Sequence, residues 1–262
     1  MSEYKQKLNQ KRSHLMRESF EVRLNEILSV PKNVDRYSTR FDRNNIFDFI
    51  GDLGYEVLIE KLPTLLNSFE KIPISARYDA LFTLIKRVKD VDLGDSQLAC
   101  IDAKLDDFLI DLTNSLDTDR LYELIESIKA LPKVIQQNFK TLVELNDKFP
   151  ESIKYFSFSS LIEGIEGPFL LDQFSFILQK LEEISNENRK YYVFTKIVDK
   201  FGEIEIKDKL HDLLSIIDNF SDNREKSLSF RYLIKSLKKK KLLHNNLELL
   251  NERFPEFTED LE

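Results

Sequence analysis

Apolar residues recur every three or four positions along most of the chain, which is the spacing of amphipathic helices. The alternating pattern of a half-buried strand does not compete with it. Only 6 of the 262 residues are glycine, so the chain has few positions for the many tight turns of a β-sandwich. The sequence therefore predicts an all-α protein. The clearest stretch is 58–72, with apolar residues at Leu58, Ile59, Leu62, Leu65, Leu66, Phe69 and Ile72.

This apolar pattern repeats along the chain. A shift of 112 residues keeps all seven positions apolar, from Leu170 to Ile184, and a shift of 148 keeps all but Lys207. Repeats at a fixed period are typical of stacked helical arrays, and here the spacing indicates hairpins of about 37 residues. The predicted hairpins lie near 57–93, 97–133, 134–168, 169–205 and 206–243.

Prolines mark the ends of most of the predicted helices. A missing N–H costs little between helices but disrupts a helix interior. Pro63 falls inside a predicted helix, so we expect either a kink there or a helix that begins later. The prolines between predicted helices are Pro73, Pro132, Pro150, Pro168 and Pro255.

Three features resemble the HEAT and armadillo class of α-solenoids over about 57–250. They are the two-helix unit, the run Leu62-Pro63-x-Leu65-Leu66 in a first helix, and a basic residue near the start of second helices. The resemblance implies a right-handed α-solenoid of five to six antiparallel hairpins, forming a single domain over 1–262. We expect N-terminal capping helices over 1–56, about five hairpins over 57–243, and a half-repeat over 244–262. The capping helices are predicted at 3–29 and 41–53.

The recurring basic residue faces the positive end of its helix dipole, which is unfavourable. A costly residue that recurs at one place indicates a role. We interpret the series as a structural ladder between repeats, and the alternative is a row of cations that face a ligand. The series comprises Arg77, Arg120, Lys154 and Arg189, with either Arg224 or Lys226 in the fifth hairpin.

The chain carries a net charge of −7 and 32% charged residues, and the charges are unevenly placed. Segment 90–126 contains eleven acidic residues against Lys104 and Arg120. Its aspartates at helical spacing turn away from the apolar face, which is typical of a solvated surface. The alternative is a docking patch for a basic partner. The candidate residues are Asp102, Asp106, Asp107 and Asp111.

Segment 223–243 is basic, with eight cations against Glu225. Cations suit the C-terminal end of a helix, so a solvated helix terminus is the simpler interpretation. The alternative is an anion-binding patch for nucleic acid or an anionic membrane. This patch comprises Arg231, Lys235, Lys238, Lys239, Lys240 and Lys241.

No motif for catalysis or metal binding is present in the sequence. The three histidines lie far apart, at His14, His211 and His244, and HExxH is missing. Cys100 is the single cysteine, so a cysteine-rich metal framework is impossible. We therefore expect no catalytic residues, no metal and no cofactor.

Stacked hairpins offer long surfaces that mostly bind other macromolecules. The leading hypothesis is a non-enzymatic scaffold for a protein or peptide partner, with a basic segment docked on the acidic middle repeats. The alternative is a nucleic-acid-binding protein, an enzyme if it resembles the HEAT-like alkylpurine DNA glycosylases. The acidic balance and the absence of tryptophan disfavour that alternative. Without a signal-peptide pattern or an apolar span, we expect a soluble, cytoplasmic protein.

Overall fold

A computed structural model describes residues 19–29, 39–72, 74–89, 91, 93–115 and 118–260. Side chains are described within these ranges except at 39–45, 74–75, 111–115, 118, 152 and 258–260. Helices dominate the described part of the chain, and no strand occurs in it. The all-α prediction is confirmed.

The helices alternate with short turns. Helix α1 covers 19–28 of the predicted N-terminal helix, whose residues 3–18 lie outside the described ranges. Three short 3-10 segments, Phe69–Lys71, His244–Asn246 and Pro255–Asp260, accompany the α-helices. The α-helices that follow α1 are α2 (Thr39–Asp52), α3 (Tyr55–Glu60), α4 (Leu62–Ser68), α5 (Ile74–Val88), α6 (Asp95–Ser115), α7 (Thr118–Ile128), α8 (Pro132–Asn146), α9 (Glu151–Gly164), α10 (Gly167–Asp172), α11 (Phe174–Glu182), α12 (Glu187–Lys200), α13 (Glu203–Asp218), α14 (Asn223–Lys239) and α15 (Leu247–Arg253).

In two of the predicted hairpins, the first helix is broken into two shorter helices. Pro63 lies in the first turn of α4, and the chain bends at Lys61, which confirms the helix break expected there. The same break recurs 112 residues later at Gln173, between α10 and α11, with nearly identical backbone angles. The residue equivalent to Pro63 there is Ser175. Proline is therefore not the only cause of the bend.

Contacts divide the chain into two compact units, Met1–Gln137 and Asn138–Glu262. In the first unit, α5 packs between α2 and α7, and α4 packs against α6. Its core contains the apolar stripe predicted for 58–72, except for half-buried Ile59, and an edge-on contact of Tyr78 with Phe108 at 5.0 Å between ring centroids. In the second unit, α12 packs between α9 and α14, and α10 contacts α13. A single solenoid through both units stays a prediction.

Polar contacts in the second unit recur with a shift of 36 residues. The N–H of Ser185 donates to Glu151 Oε1 at 3.3 Å, and the N–H of Ser221 donates to Glu187 Oε2 at 3.2 Å. The same shift of 36 residues relates two further contacts, one between α9 and α12 and one between α12 and α14. Lys196 pairs with Glu163 at 2.5 Å, and the Tyr232 hydroxyl donates to Asp199 at 2.7 Å. The helices α9, α12 and α14 thus stand in equivalent positions, each 36 residues from the next.

Candidate functional site

The predicted acidic patch lies on α6 and carries its own cation. Asp106 and Asp107 are exposed, Asp102 is half-buried, and the side chain of Asp111 lies outside the described ones. Lys104 contacts the carboxylate of Glu70 and lies 3.4 Å from Asp107 Oδ2. Its hydrogen bond lowers the pKa of Glu70, and the same bond raises the pKa of Lys104. The acidic surface is therefore partly neutralised from within.

The two cations of the predicted series in the first unit make contacts inside the protein. Arg77 donates to the carbonyls of Ile72 at 3.0 Å and Glu70 at 2.8 Å, and so holds the turn before its own helix. The guanidinium of Arg120 lies 4.6 Å from the ring centroid of Tyr78, the residue that follows Arg77. This cation–π contact joins α7 to α5, the second helices of two consecutive predicted hairpins.

Arg189 makes the matching contact in the second unit. Its guanidinium lies 4.7 Å from the ring centroid of Tyr155, the residue that follows Lys154, and it donates to the carbonyl of Glu151 at 3.1 Å. Arg224 is exposed, and its backbone N–H donates to the Asp222 side chain that caps α14. An arginine stacked on the preceding helix is thus common to both units.

The shift of 36 gives a second alignment of the basic residues in the second unit. It aligns Lys154 with Lys190 and Lys226, and places Arg189 one position earlier, level with Ile153. Arg189 was placed in the series by a shift of 112 from Arg77, and the adjacent Lys190 is also basic. In the predicted fifth hairpin, Lys226 rather than Arg224 is equivalent to Lys190, because both lysines make an ion pair and a cation–π contact.

The three aligned lysines have different surroundings. Lys190 lies 3.3 Å from Glu187 and 5.9 Å from the ring centroid of Phe220. Lys226 lies 3.6 Å from Asp218 and 5.5 Å from the ring centroid of Phe254. Lys154 is half-buried and has neither an ion pair nor a cation–π contact within the described part of the chain.

Lys154 lines an open pocket of about 320 Å³ in the second unit. The pocket lies among α8, α9, α11 and the turns that follow α8 and α11. The apolar part of its wall is Val143, Tyr155, Phe158 and Ile184. The polar part is Asn146, Asp147, Glu151, Lys154, Lys180 and Glu183.

The pocket's carboxylates have partners of their own. Lys180 Nζ lies 2.6 Å from Asp147 Oδ2 and 2.9 Å from Glu183 Oε2, and the bond to Asp147 raises the pKa of Lys180. Glu151 accepts hydrogen bonds from the hydroxyl and the backbone N–H of Ser185, which lower its pKa. The nearby charges of Arg189 and Lys154 also favour the ionised form of Glu151.

An aromatic cluster of Tyr155, Phe156 and Tyr192 lies next to this pocket. Phe156 and Tyr192 are 45% and 38% exposed, with ring centroids 6.4 Å apart. The cluster borders a second hollow that also includes Asn186, Asn188 and Arg189. Tyr155 lines both hollows, so they adjoin one aromatic surface on α9 and α12.

This cluster was not predicted above, although the sequence carries a signal for it. The dipeptide Tyr155-Phe156 recurs 36 residues later as Tyr191-Tyr192. One member of each pair lies off the buried stripe of its helix. An aromatic residue that recurs on the solvent side of a repeat is the pattern that could have identified the surface.

The predicted basic patch lies along the C-terminal half of α14. Arg231, Lys235, Lys238, Lys239 and Lys241 are exposed, and half-buried Lys240 donates to the hydroxyl of Ser236 at 3.3 Å. The patch is therefore available to solvent at the negative end of the helix dipole, which favours cations.

No protein-family model, curated protein or solved structure matches this chain. Across the described residues, no three side chains of His, Cys, Asp or Glu are grouped as a metal ion requires. None of the helices that the structure describes has the length and apolar character needed to cross a membrane.

Proposed function

We propose that the chain is a HEAT-like α-solenoid that works as a non-enzymatic scaffold for a protein or peptide partner. The support for the solenoid is the recurrence of equivalent contacts at a shift of 36 residues within the second unit. Arrays of this kind contact mainly their neighbouring repeats and present continuous surfaces to partners. The single cysteine fits a reducing compartment, and we place the scaffold in the cytoplasm.

The observation that carries the proposal is the exposed aromatic surface on α9 and α12. Aromatic side chains are enriched at the centres of protein interfaces, where they bury a large area at a small cost in conformational entropy. Phe156 and Tyr192 remain exposed beside two hollows that could receive a partner's side chains. A partner that covers this surface removes both rings from water.

The acidic surface of α6 is a second part of the same proposal. Exposed Asp106 and Asp107 lie beside Ile110, which is 61% exposed. An apolar residue among carboxylates suits a basic segment that also carries an apolar side chain. We place the basic segment of the partner there.

The test is affinity purification from a lysate of the source organism, with and without nuclease, read by mass spectrometry. The wild type is compared with Phe156→Ala/Tyr192→Ala and with Ile204→Ala, which removes an exposed apolar residue elsewhere in the second unit. We expect a protein that survives nuclease, is lost with the double variant and is retained by Ile204→Ala.

Two other outcomes would change the proposal. Loss of all captured proteins on nuclease treatment would contradict it and favour nucleic-acid binding through the basic patch of α14. Capture that is unaffected by Asp106→Lys/Asp107→Lys would remove the acidic surface from the interface.

A further inference from the structure

We propose that the basic patch of α14 binds an acidic helix of a protein partner, with carboxylates of that helix at Lys235 and Lys238. This helix packs against α14 in the way that α9, α12 and α14 pack against one another. The inference rests on the repeat arrangement of the proposed function and goes beyond it, because the acidic helix belongs to a second partner and not to the one that covers the aromatic surface.

The first argument is the place of Lys235 in the series of equivalent contacts. Glu163 of α9 pairs with Lys196 of α12, and 36 residues later Asp199 of α12 accepts a hydrogen bond from Tyr232 of α14. A further shift of 36 leads from Asp199 to Lys235. Because each carboxylate faces the next second helix, Lys235 lies on the side of α14 where another helix would pack. Its positive charge selects a helix that brings carboxylates to the contact.

The second argument is that this side of α14 is open to solvent. The 3-10 segment Pro255–Asp260 packs against α14 at Phe230, in the first half of the helix. Just beyond that contact Arg231 is exposed, whereas the equivalent residues Ser159 and Thr195 are 3% and 8% exposed. The second half of α14 therefore presents a charged side where α9 and α12 have small buried side chains.

The third argument is the spacing and the surroundings of the cations. Arg231, Lys235 and Lys238 follow the i, i+4, i+7 spacing of one helix face, and all three are exposed. Within the described part of the chain, no carboxylate lies at ion-pair distance from Lys235, Lys238 or Lys239. The helix dipole favours cations in the last turn, so it does not explain Arg231 and Lys235, which precede that turn. An anionic ligand that follows the helix face accounts for all of them.

Two other anionic ligands fit this surface less well. Amphipathic helices that lie on membranes insert an apolar face, but the apolar residues in the second half of α14, Leu233, Ile234 and Leu237, are buried inside the protein. Proteins that bind single-stranded nucleic acid combine cations with aromatic rings on which bases stack. The aromatic residue in this half of α14, Tyr232, is half-buried and donates its hydroxyl to Asp199. A helix instead repeats a packing mode that the second unit already uses.

The test uses fluorescein-labelled, alanine-rich peptides of about 20 residues, a length at which such sequences form helices in isolation. One peptide carries glutamates on one face at i, i+4 and i+7, and a second has the same composition with the glutamates distributed around the helix. Fluorescence anisotropy measures binding to the full chain at low ionic strength. The test variant is Lys235→Glu/Lys238→Glu. The control is Lys140→Glu/Lys148→Glu, which changes the net charge equally at two lysines exposed elsewhere in the second unit.

We expect the one-faced peptide to bind wild type and the control variant. Charge reversal at Lys235 and Lys238 weakens binding at least about tenfold, because it replaces attraction by repulsion at the contact. Added salt weakens binding to wild type, since exposed charges are screened. A peptide with lysines in place of the glutamates binds the reversed variant instead of wild type. All four substituted lysines are exposed, so thermal melting should show an intact fold in each variant.

Equal binding of the distributed peptide, equal binding by the reversed variant, or no binding at all would each overturn the inference. Tighter binding of a single-stranded oligonucleotide of equal charge, or of phosphatidylserine vesicles, would also overturn it and assign the patch to that ligand. Capture of the lysate partner depends on Phe156 and Tyr192, which this test leaves unchanged. If that capture succeeds while the peptides fail, the proposed function stands and only the ligand of α14 is wrong.

Discussion

At the residue scale, Lys241 occupies a position that normally takes glycine. Its φ is 58°, and it follows α14 in the left-handed conformation that closes many helices. The Leu242 N–H donates to the carbonyl of Leu237 at 2.9 Å, and the Lys241 N–H donates to that of Lys238 at 3.1 Å, as in a Schellman motif. A residue with a Cβ is strained in this conformation.

We therefore expect Lys241→Gly to raise the free energy of unfolding by about 1 kcal/mol in urea titrations, since glycine relieves that strain. Lys241→Gln keeps the Cβ and is the control. An equal gain in both variants would show that repulsion among the four consecutive lysines, and not backbone strain, limits stability here.

A second residue-scale prediction concerns Tyr232. Burial, and then its hydrogen bond to Asp199, raise the pKa of Tyr232 to about 12. The unfolded value is about 10, so this group contributes stability that is complete below pH 10 and is lost as the pH rises towards 12. In near-ultraviolet titration, Tyr232→Phe should lack one late-titrating tyrosine. A variant that loses its amplitude near pH 10 and keeps the late part of the curve unchanged would show that Tyr232 is not protected.

At the element scale, the start of α12 is fixed by its N-cap. The Asn186 side chain accepts a hydrogen bond from the Arg189 N–H at 3.0 Å. Loss of such a cap typically costs about 1 kcal/mol, so Asn186→Ala should lower the free energy of unfolding by that amount. Asn188→Ala changes the same residue type two positions later, where it caps nothing, and should have little effect. A similar loss of stability in Asn186→Ala and Asn188→Ala would contradict the assignment of Asn186 as the N-cap.

The helices themselves could be predicted because each buries a continuous apolar stripe. Two α-helices occupy each of the predicted ranges 97–133, 134–168 and 206–243, beginning within three residues of its start and ending within five residues of its end, whereas 57–93 and 169–205 each hold three because the first helix is broken. The break at Lys61 was predictable from Pro63, but the equivalent break at Gln173 was not, because no proline marks it. Local patterning detects a helix better than it detects the place where two short helices meet.

The candidate site was less predictable, because it depends on residues from different helices. Lys154 was identified as a basic residue in a series, but the pocket that it lines is formed by residues of three helices and the turns after two of them. The unpartnered oxygen of Asn146 becomes visible only when the fold buries it. Spacing alone does not choose between Arg189 and Lys190, because the two cations are adjacent in the sequence.

At the scale of the whole molecule, the chain carries chemically different surfaces. These are the acidic surface of α6 in the first unit, and the aromatic surface of α9 and α12 and the basic end of α14 in the second. Surface charges act over about 10 Å at moderate ionic strength and mainly accelerate association. Buried aromatic contacts supply more of the affinity. Added salt should therefore slow binding of the partner more than it speeds dissociation, which surface plasmon resonance can measure.

Hydrogen–deuterium exchange of the full chain, with and without the partner recovered by affinity purification, tests most directly whether the partner binds the aromatic surface. We expect slower exchange in 151–164 and 184–200, which include the aromatic surface and the rim of the pocket. We expect no change in 223–239. Protection confined to α14, with α9 and α12 unaffected, would contradict the central claim that the partner binds the aromatic surface.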